Sequence, residues 1–154
     1  NSFMRIEKAN KKDAAEVYAL IKESILAVYP SYYSPAVTAW FGNDAHSLGK
    51  VACHIGAGCV YVLRGARICG TVTVREDRVE ALFVLPGFGR RGFGSELLRF
   101  AESLIAEKFR VVRLESSAPA ERFYRERGYQ TVREETAQVF GETLRYLCME
   151  KDIV

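Results

Sequence analysis

The chain is poor in the residues that mark specialised protein classes. Its 154 residues include two histidines, four cysteines and four prolines. No Cys-x-x-C pair occurs, and Cys53, His46 and His54 match no common zinc spacing, so no metal is expected. Of Cys53, Cys59, Cys69 and Cys148, three fall in apolar runs where a thiol behaves as a small hydrophobe, and a reduced, cytoplasmic setting is expected. The apolar runs are strand-length and broken by Glu, Arg or Gly, well short of the roughly 20 residues of a membrane helix, and no secretory segment opens the chain. Twenty-two basic and 19 acidic residues leave a net charge of +3, too small and dispersed to expect a nucleic-acid partner. Repeats, linkers and low-complexity stretches are also missing. Met4 reads as the natural start, with no functional weight on Asn1 to Phe3, and the rest (4–154) as one domain.

What is present is an ordinary core-forming composition, 49% hydrophobic and 27% charged. Met4 to Lys8 reads as a first strand, and Asn10 with Asp13 as a helix start. Val17, Leu20, Ile21, Ile25 and Val28 then recur at helical spacing until Pro30. An aromatic loop, Tyr29 to Pro35, leads to a second helical region with Trp40 and Phe41. Cys59 to Leu63, Ile68 to Val74 and Val79 to Leu85 read as three antiparallel strands. A helix with the stripe Leu97, Leu98, Ala101, Leu104 and Ile105 follows, then a strand from Val111 to Glu115 and a short helix from Ser117 to Arg127. Tyr129 to Arg133 and Leu144 to Met149 end the chain as strands around a polar connection, Thr136 to Thr143. The order β-α-α-β-β-β-α-β-α-β-β describes an α/β domain with a mixed sheet. The helix between Val79 to Leu85 and Val111 to Glu115 makes those strands parallel, and a ligand is expected at that junction.

Leu85 to Ser95 joins a strand to the start of a helix and carries Gly87, Gly89, Gly92 and Gly94. Glycines allow close backbone approach, and a helix N-terminus offers free N–H groups and a positive dipole end, so the segment is an anion site suited to a phosphate or pyrophosphate. Arg90 and Arg91 are available as partners. No Lys makes it a Walker loop; Gly87 to Gly92 does match a dinucleotide fingerprint, but after an antiparallel meander and not in an early βαβ unit.

Phe83-Val84-Leu85-Pro86-x-x-Gly89-Arg90-Arg91-Gly92-Phe93-Gly94-Ser95-x-Leu97-Leu98, followed by Ala120-x-x-Phe123-Tyr124-x-x-x-Gly128-Tyr129, resembles the GCN5-related N-acetyltransferase (GNAT) family, and the element order resembles it along the whole chain. The resemblance implies an acetyl-CoA-dependent N-acetyltransferase acting on a primary amine of a small molecule or protein, by direct attack on the thioester. It implies that Gly89, Arg90, Arg91, Gly92, Phe93, Gly94 and Ser95 bind the pyrophosphate, and that Leu82, Phe83 and Val84 offer main-chain groups to the acyl-pantetheine arm, one near Phe83 or Val84 serving as oxyanion donor. Gly89 stands where the family usually has Gln or Arg. Ser117, counted with the cofactor residues, stands where Asn is frequent.

Such a reaction needs a neutral amine, a polarised carbonyl and a stabilised thiolate. By the same resemblance Tyr124 is the general acid for the leaving thiolate, or simply a hydrogen-bond donor to it; a core tyrosine is its structural alternative. Alternation puts Glu80 on the strand face of Leu82 and Val84; the resemblance implies that it is the base that deprotonates the amine, directly or through water, and a solvated strand-end glutamate is the alternative. Tyr29, Tyr32, Tyr33 and Trp40, with Phe41, wall the amine site or form a small satellite core. A noncatalytic acyl-CoA-binding sensor on the same fold is the alternative. The expected partners are acetyl-CoA and an amine acceptor, with no nucleic acid and no membrane, in a monomer or homodimer.

Overall fold

The structure is a computed structural model that describes residues 4–89 and 91–153; Asn1 to Phe3, Arg90 and Val154 lie outside them. Its seven strands are β1 (Arg5–Lys8), β2 (Val60–Arg64), β3 (Ile68–Arg75), β4 (Arg78–Val84), β5 (Val111–Ser116), β6 (Gln130–Val139) and β7 (Glu142–Asp152). They form one mixed sheet in the order β1-β2-β3-β4-β5-β7-β6, and only β4 and β5 are parallel. The expected α/β class holds.

Three α-helices, not two, separate β1 from β2: α1 (Ala14–Val28), α2 (Pro35–Trp40) and α3 (Leu48–Gly56). The second helical region is split because two serines cap separate starts. Ser34 accepts from the Val37 N–H and Ser47 from the Lys50 N–H, with a π-helical turn, Phe41–Ala45, between them. α1 buries Val17, Leu20, Ile21 and Ile25 as expected, but Val28 is exposed where the chain leaves the helix. With Val51 and Ile55 of α3 these residues cover Val60, Val62 and Ile68 on one face of the sheet.

The other face is covered by α4 (Phe93–Ala106), the crossover from β4 to β5. Its stripe of Leu97, Leu98, Ala101 and Ile105 packs on Val72, Val79, Val112 and Leu114. Leu104 is the one residue of the expected stripe that is not buried. After β5 a single 3-10 turn, Ala118–Ala120, leads into α5 (Glu121–Glu126), and Gly128 follows with φ +95°.

The expected polar connection from Thr136 to Thr143 is instead the heart of a hairpin. β6 and β7 stay paired to Val139 and Glu142, and Phe140 and Gly141 make the turn with φ 49° and 78°, the two positive values of a primed hairpin. β6 is an edge strand exposed over most of its length, so it has no inward alternation for the sequence to display.

Leu97 is fully buried, and its Cδ1 lies only 2.7 Å from where a Cβ on Gly70 would sit, so side chain and bare backbone are fitted to each other. Leu97→Ala is expected to cost about 2–5 kcal/mol in urea unfolding, the usual range for a buried leucine. A loss under about 1 kcal/mol would show that this face can collapse around the void.

Candidate active site

The site begins where the sheet comes apart. β4 and β5 pair only at Arg78↔Arg113 and Val79↔Leu114, and beyond these they diverge. The divergence coincides with a bulge in β4: Thr73 of β3 faces Ala81 and Val74 faces Val79, which leaves Glu80 as the extra residue. Alternation is therefore broken, and the expected common face of Glu80, Leu82 and Val84 is not formed. Leu82 and Val84 pack with Val79 toward α4. Glu80 turns to the α1–α3 side, where its carboxylate ion-pairs with Arg75 Nε and lies 3.2 Å from Arg75 Nη2.

The unpaired edge of β4 offers main-chain groups to the gap. Leu85 N–H donates to Cys69 O at 2.7 Å, so by antiparallel alternation Phe83 also bonds toward β3, while Leu82 and Val84 turn toward β5. This removes Phe83 from the candidate oxyanion donors and leaves Leu82 and Val84. Ser24 Oγ, on α1, is 2.9 Å from both Val84 O and Leu20 O and shares its one O–H between the two carbonyls.

On the α4 side the gap opens into a groove of about 400 Å³ lined by Leu82, Val84, Gly89, Gly92, Gly94, Ser95, Ala120, Phe123, Tyr124 and Arg127. Gly92 caps α4 with φ 78° and ψ 9°, a conformation that costs an L-residue strain, and its carbonyl accepts from Glu96 N–H at 3.0 Å. The N–H groups of Phe93, Gly94 and Ser95 thus end the helix without intrahelical partners. The Phe93 side chain itself is core, stacked 6.1 Å from Phe88, and Arg91 lies 5.0 Å over the Phe88 ring. Arg90 lies outside the described residues. The cation at this groove is one that sequence reading missed: Arg127 Nε donates to Ser95 Oγ at 2.7 Å, Nη1 to Phe123 O at 2.9 Å, and the guanidinium lies 3.8 Å from the Phe123 ring centroid. Nothing in its sequence position, just past α5, separates it from Arg122 and Arg125 within that helix.

On the opposite side lies a cavity of about 370 Å³. Tyr29, Tyr33, Trp40 and Phe41 wall it, with Phe83 and Glu80 from β4, Ser117 after β5, and Ala137, Leu144, Arg145 and Tyr146 from the terminal hairpin. Tyr29 Oη is 3.3 Å from Ser117 Oγ, and Tyr33 Oη accepts from Ala118 N–H at 3.0 Å, so the aromatic loop is tied to the segment after β5. Ser117, expected among the cofactor residues, lines this cavity beside the gap. Tyr32 lines neither cavity and is 55% exposed. Trp40 and Phe41 line the cavity and also pack on Val37, Val139 and Leu144. His46, which sequence reading considered only as a metal ligand, also lines it.

Tyr124 belongs to both cavities. Burial pushes its pKa well above the ordinary phenol value, and the nearby Tyr29 phenol adds to this; no hydrogen bond lowers it. Tyr124 therefore stays protonated at neutral pH and presents an O–H donor where the two spaces meet. Tyr29 and Tyr33 are also raised by burial. Among the described residues no cluster of His, Cys, Asp and Glu could hold a metal, and no helix is long and apolar enough to cross a membrane.

Residues 56–131, which contain the glycine loop and Tyr124, match the family model described as an acetyltransferase (GNAT) domain. The fold is also that of solved relatives. A GCN5-related N-acetyltransferase, aminotransferase class II, from Rhodopseudomonas palustris superposes with a TM-score of 0.89 at 22% identity, over 97% of this chain and 95% of the other. The PaiA N-acetyltransferase of Thermoplasma acidophilum, solved in complex with coenzyme A, gives 0.78 at 18% identity over 97% and 99%. YncA of Salmonella typhimurium, a putative acetyltransferase solved with acetyl-CoA, gives 0.71 at 18% over 98% and 94%. No curated protein sequence matches the chain. The chain thus carries, within the fold of these acetyltransferases, a stretch that matches the GNAT acetyltransferase domain model.

The tie across the gap can be measured directly. Tyr33→Phe removes the acceptor of the Ala118 N–H and is expected to lower stability by about 0.5–1.5 kcal/mol, the usual net worth of one hydrogen bond. Faster amide exchange at Ala118 by NMR is the accompanying sign, and unchanged exchange there would show that the bond does not hold the loop.

Proposed function

We propose that the protein is an acetyl-CoA-dependent N-acetyltransferase that transfers the acetyl group to a primary amine of a small molecule or protein, by direct attack of the amine on the thioester. The observation that carries this reading is the position of Tyr124, on the wall common to an anion-binding groove and an aromatic cavity. One side suits a pyrophosphate-bearing cosubstrate and the other an acceptor.

The residues divide the work as follows. Phe93, Gly94 and Ser95 N–H groups at the start of α4 receive the pyrophosphate, with Arg91 and Arg127 as nearby cations. Arg127 holds the Ser95 hydroxyl and keeps α5 against the head of α4. The pantetheine arm takes the place of the missing strand pairing beside Leu82 and Val84, and one of their N–H groups polarises the thioester carbonyl. Acyl transfer develops negative charge on sulfur. Tyr124, with a raised pKa, is too weak an acid to give up its proton fully, and it stabilises the thiolate as a hydrogen-bond donor. Tyr29, Tyr33 and Trp40 pack against the acceptor, and Glu80, held by Arg75, stands on the same wall.

Acetyl-CoA at about a hundred times its dissociation constant is expected to add roughly 2.7 kcal/mol of stability, read as a thermal shift. Gly92→Asp should abolish the shift, because it brings a carboxylate to the anion site and strains a residue at φ 78°. No shift at millimolar acetyl-CoA would overturn the assignment of the cosubstrate. Tyr124→Phe should keep the shift and lower kcat by about 100-fold, within the range for a positioned proton donor. The assay is thiol release across a panel of amines; saturable binding with no turnover on any amine would leave the chain a binding protein and not an enzyme.

A further inference from the structure

The π-helical turn Phe41–Ala45 ends at His46, whose backbone N–H donates to Phe41 O at 3.1 Å. Such turns are rare and gather at functional sites, because one extra residue per turn re-aims the side chains that follow. Here the residue re-aimed is a histidine standing edge-on to Phe83, with ring centroids 5.1 Å apart and an interplanar angle of 82°. His46 comes to the aromatic cavity from the α2–α3 connection, whereas Tyr124 comes to it from α5, beyond the gap.

His46 also lines a second cavity, of about 340 Å³, between α1, α3 and the sheet. Ala45, His46, Glu80 and Ala81 are common to the two spaces. Thr38 Oγ1 is the only buried polar side-chain atom without a partner among the described residues, so the ring nitrogens of His46 are not sealed in apolar packing.

The charged groups around the ring favour the neutral imidazole. Lys50 and His54 face it from α3 and Arg75 from β3, while α1 contributes only Val17 and Ile21 to the second cavity. Glu80 is the nearby acid, and Arg75 already neutralises it. In the aromatic cavity Arg78, Glu115 and Arg145 complete the charged set. Burial first, then Lys50 and His54, lower the His46 pKa to about 4, so its lone pair is free across the neutral range.

We infer that His46 is the catalytic base of this site: it takes the proton from the acceptor nitrogen as that nitrogen bonds to the thioester carbonyl carbon. The inference rests on the acetyl-transfer reading above. The amine lone pair forms the C–N bond, the carbonyl re-forms, and the C–S bond breaks with its electron pair staying on sulfur. The amine proton passes to His46 and from the imidazolium to water in the second cavity. Coenzyme A leaves as a thiolate hydrogen-bonded by Tyr124 and takes a proton from solvent. The nitrogen becomes more acidic as it bonds to the carbonyl carbon, which helps its proton pass to the imidazole.

The experiment compares wild type, His46→Ala, His46→Gln and Glu80→Gln in steady-state thiol release, with the acetyl-CoA thermal shift recorded for each. His46→Ala is expected to lose about 100-fold or more in kcat while keeping the acetyl-CoA shift. Added imidazole should restore part of the turnover of His46→Ala and none of that of His46→Gln, whose side chain fills the space. A His46→Ala enzyme within a few-fold of wild-type kcat overturns the inference, as does a 100-fold loss in Glu80→Gln with none in His46→Ala. Wild type inactive on every amine overturns the acetyl-transfer reading itself, a different result from an active wild type with an active His46→Ala.

Discussion

The structure depends on a pairing that is given up. β4 and β5 are parallel neighbours for two residue pairs, after which β4 stays with β3 and β5 goes with β7, where it pairs over six residues. A sheet parted in its middle leaves backbone donors and acceptors inside the protein, and such groups need partners. Ser24 serves the Val84 carbonyl and Tyr33 serves the Ala118 N–H. The other groups along the gap are left for whatever enters it, which is why the break in the sheet is the candidate binding surface.

The bulge at Glu80 lies at the head of this break and assigns its two sides. Without the extra residue, Glu80, Leu82 and Val84 would share a face, and the carboxylate would stand in the groove meant for an anion. With it, Leu82 and Val84 line the groove on the α4 side and Glu80 joins the opposite wall beside Arg75. Among the described residues, the helix dipole and Arg127 therefore meet no acidic side chain in that groove. The aromatic cavity, in contrast, holds both Glu80 and Glu115.

The parts of the fold with a periodic signature were legible in the sequence. α4, β2 to β5 and the glycine loop follow from apolar spacing and from the conformations only glycine adopts cheaply, and Tyr124 followed from its place in a motif. What was not legible depends on distant partners or on a one-residue irregularity. Tyr32 and Tyr33 are adjacent and chemically alike, yet only Tyr33 meets the segment after β5. The split between α2 and α3 lay in two serine caps inside one apolar pattern, and β6 showed no alternation because an edge strand has little to bury. Arg127 and His46 carry no local signal, since each matters through a neighbour about thirty residues or more away, Ser95 for one and Phe83 for the other.

Because Leu82, Ala120 and Tyr124 line both spaces, the groove and the aromatic cavity are neighbours across a thin partition. An acyl arm lying in the gap becomes part of that partition, so the second pocket is complete only after the first has been filled. Kinetically this favours an ordered sequence, cosubstrate before acceptor. On the proposed acetyl-transfer reading it also sets the exit: the amide would leave through the aromatic side and coenzyme A past the glycine loop. A chain that binds in this order exposes its thioester to bulk water only through the opening the acceptor will occupy, and the fit of that acceptor decides how much acetyl-CoA is lost to hydrolysis.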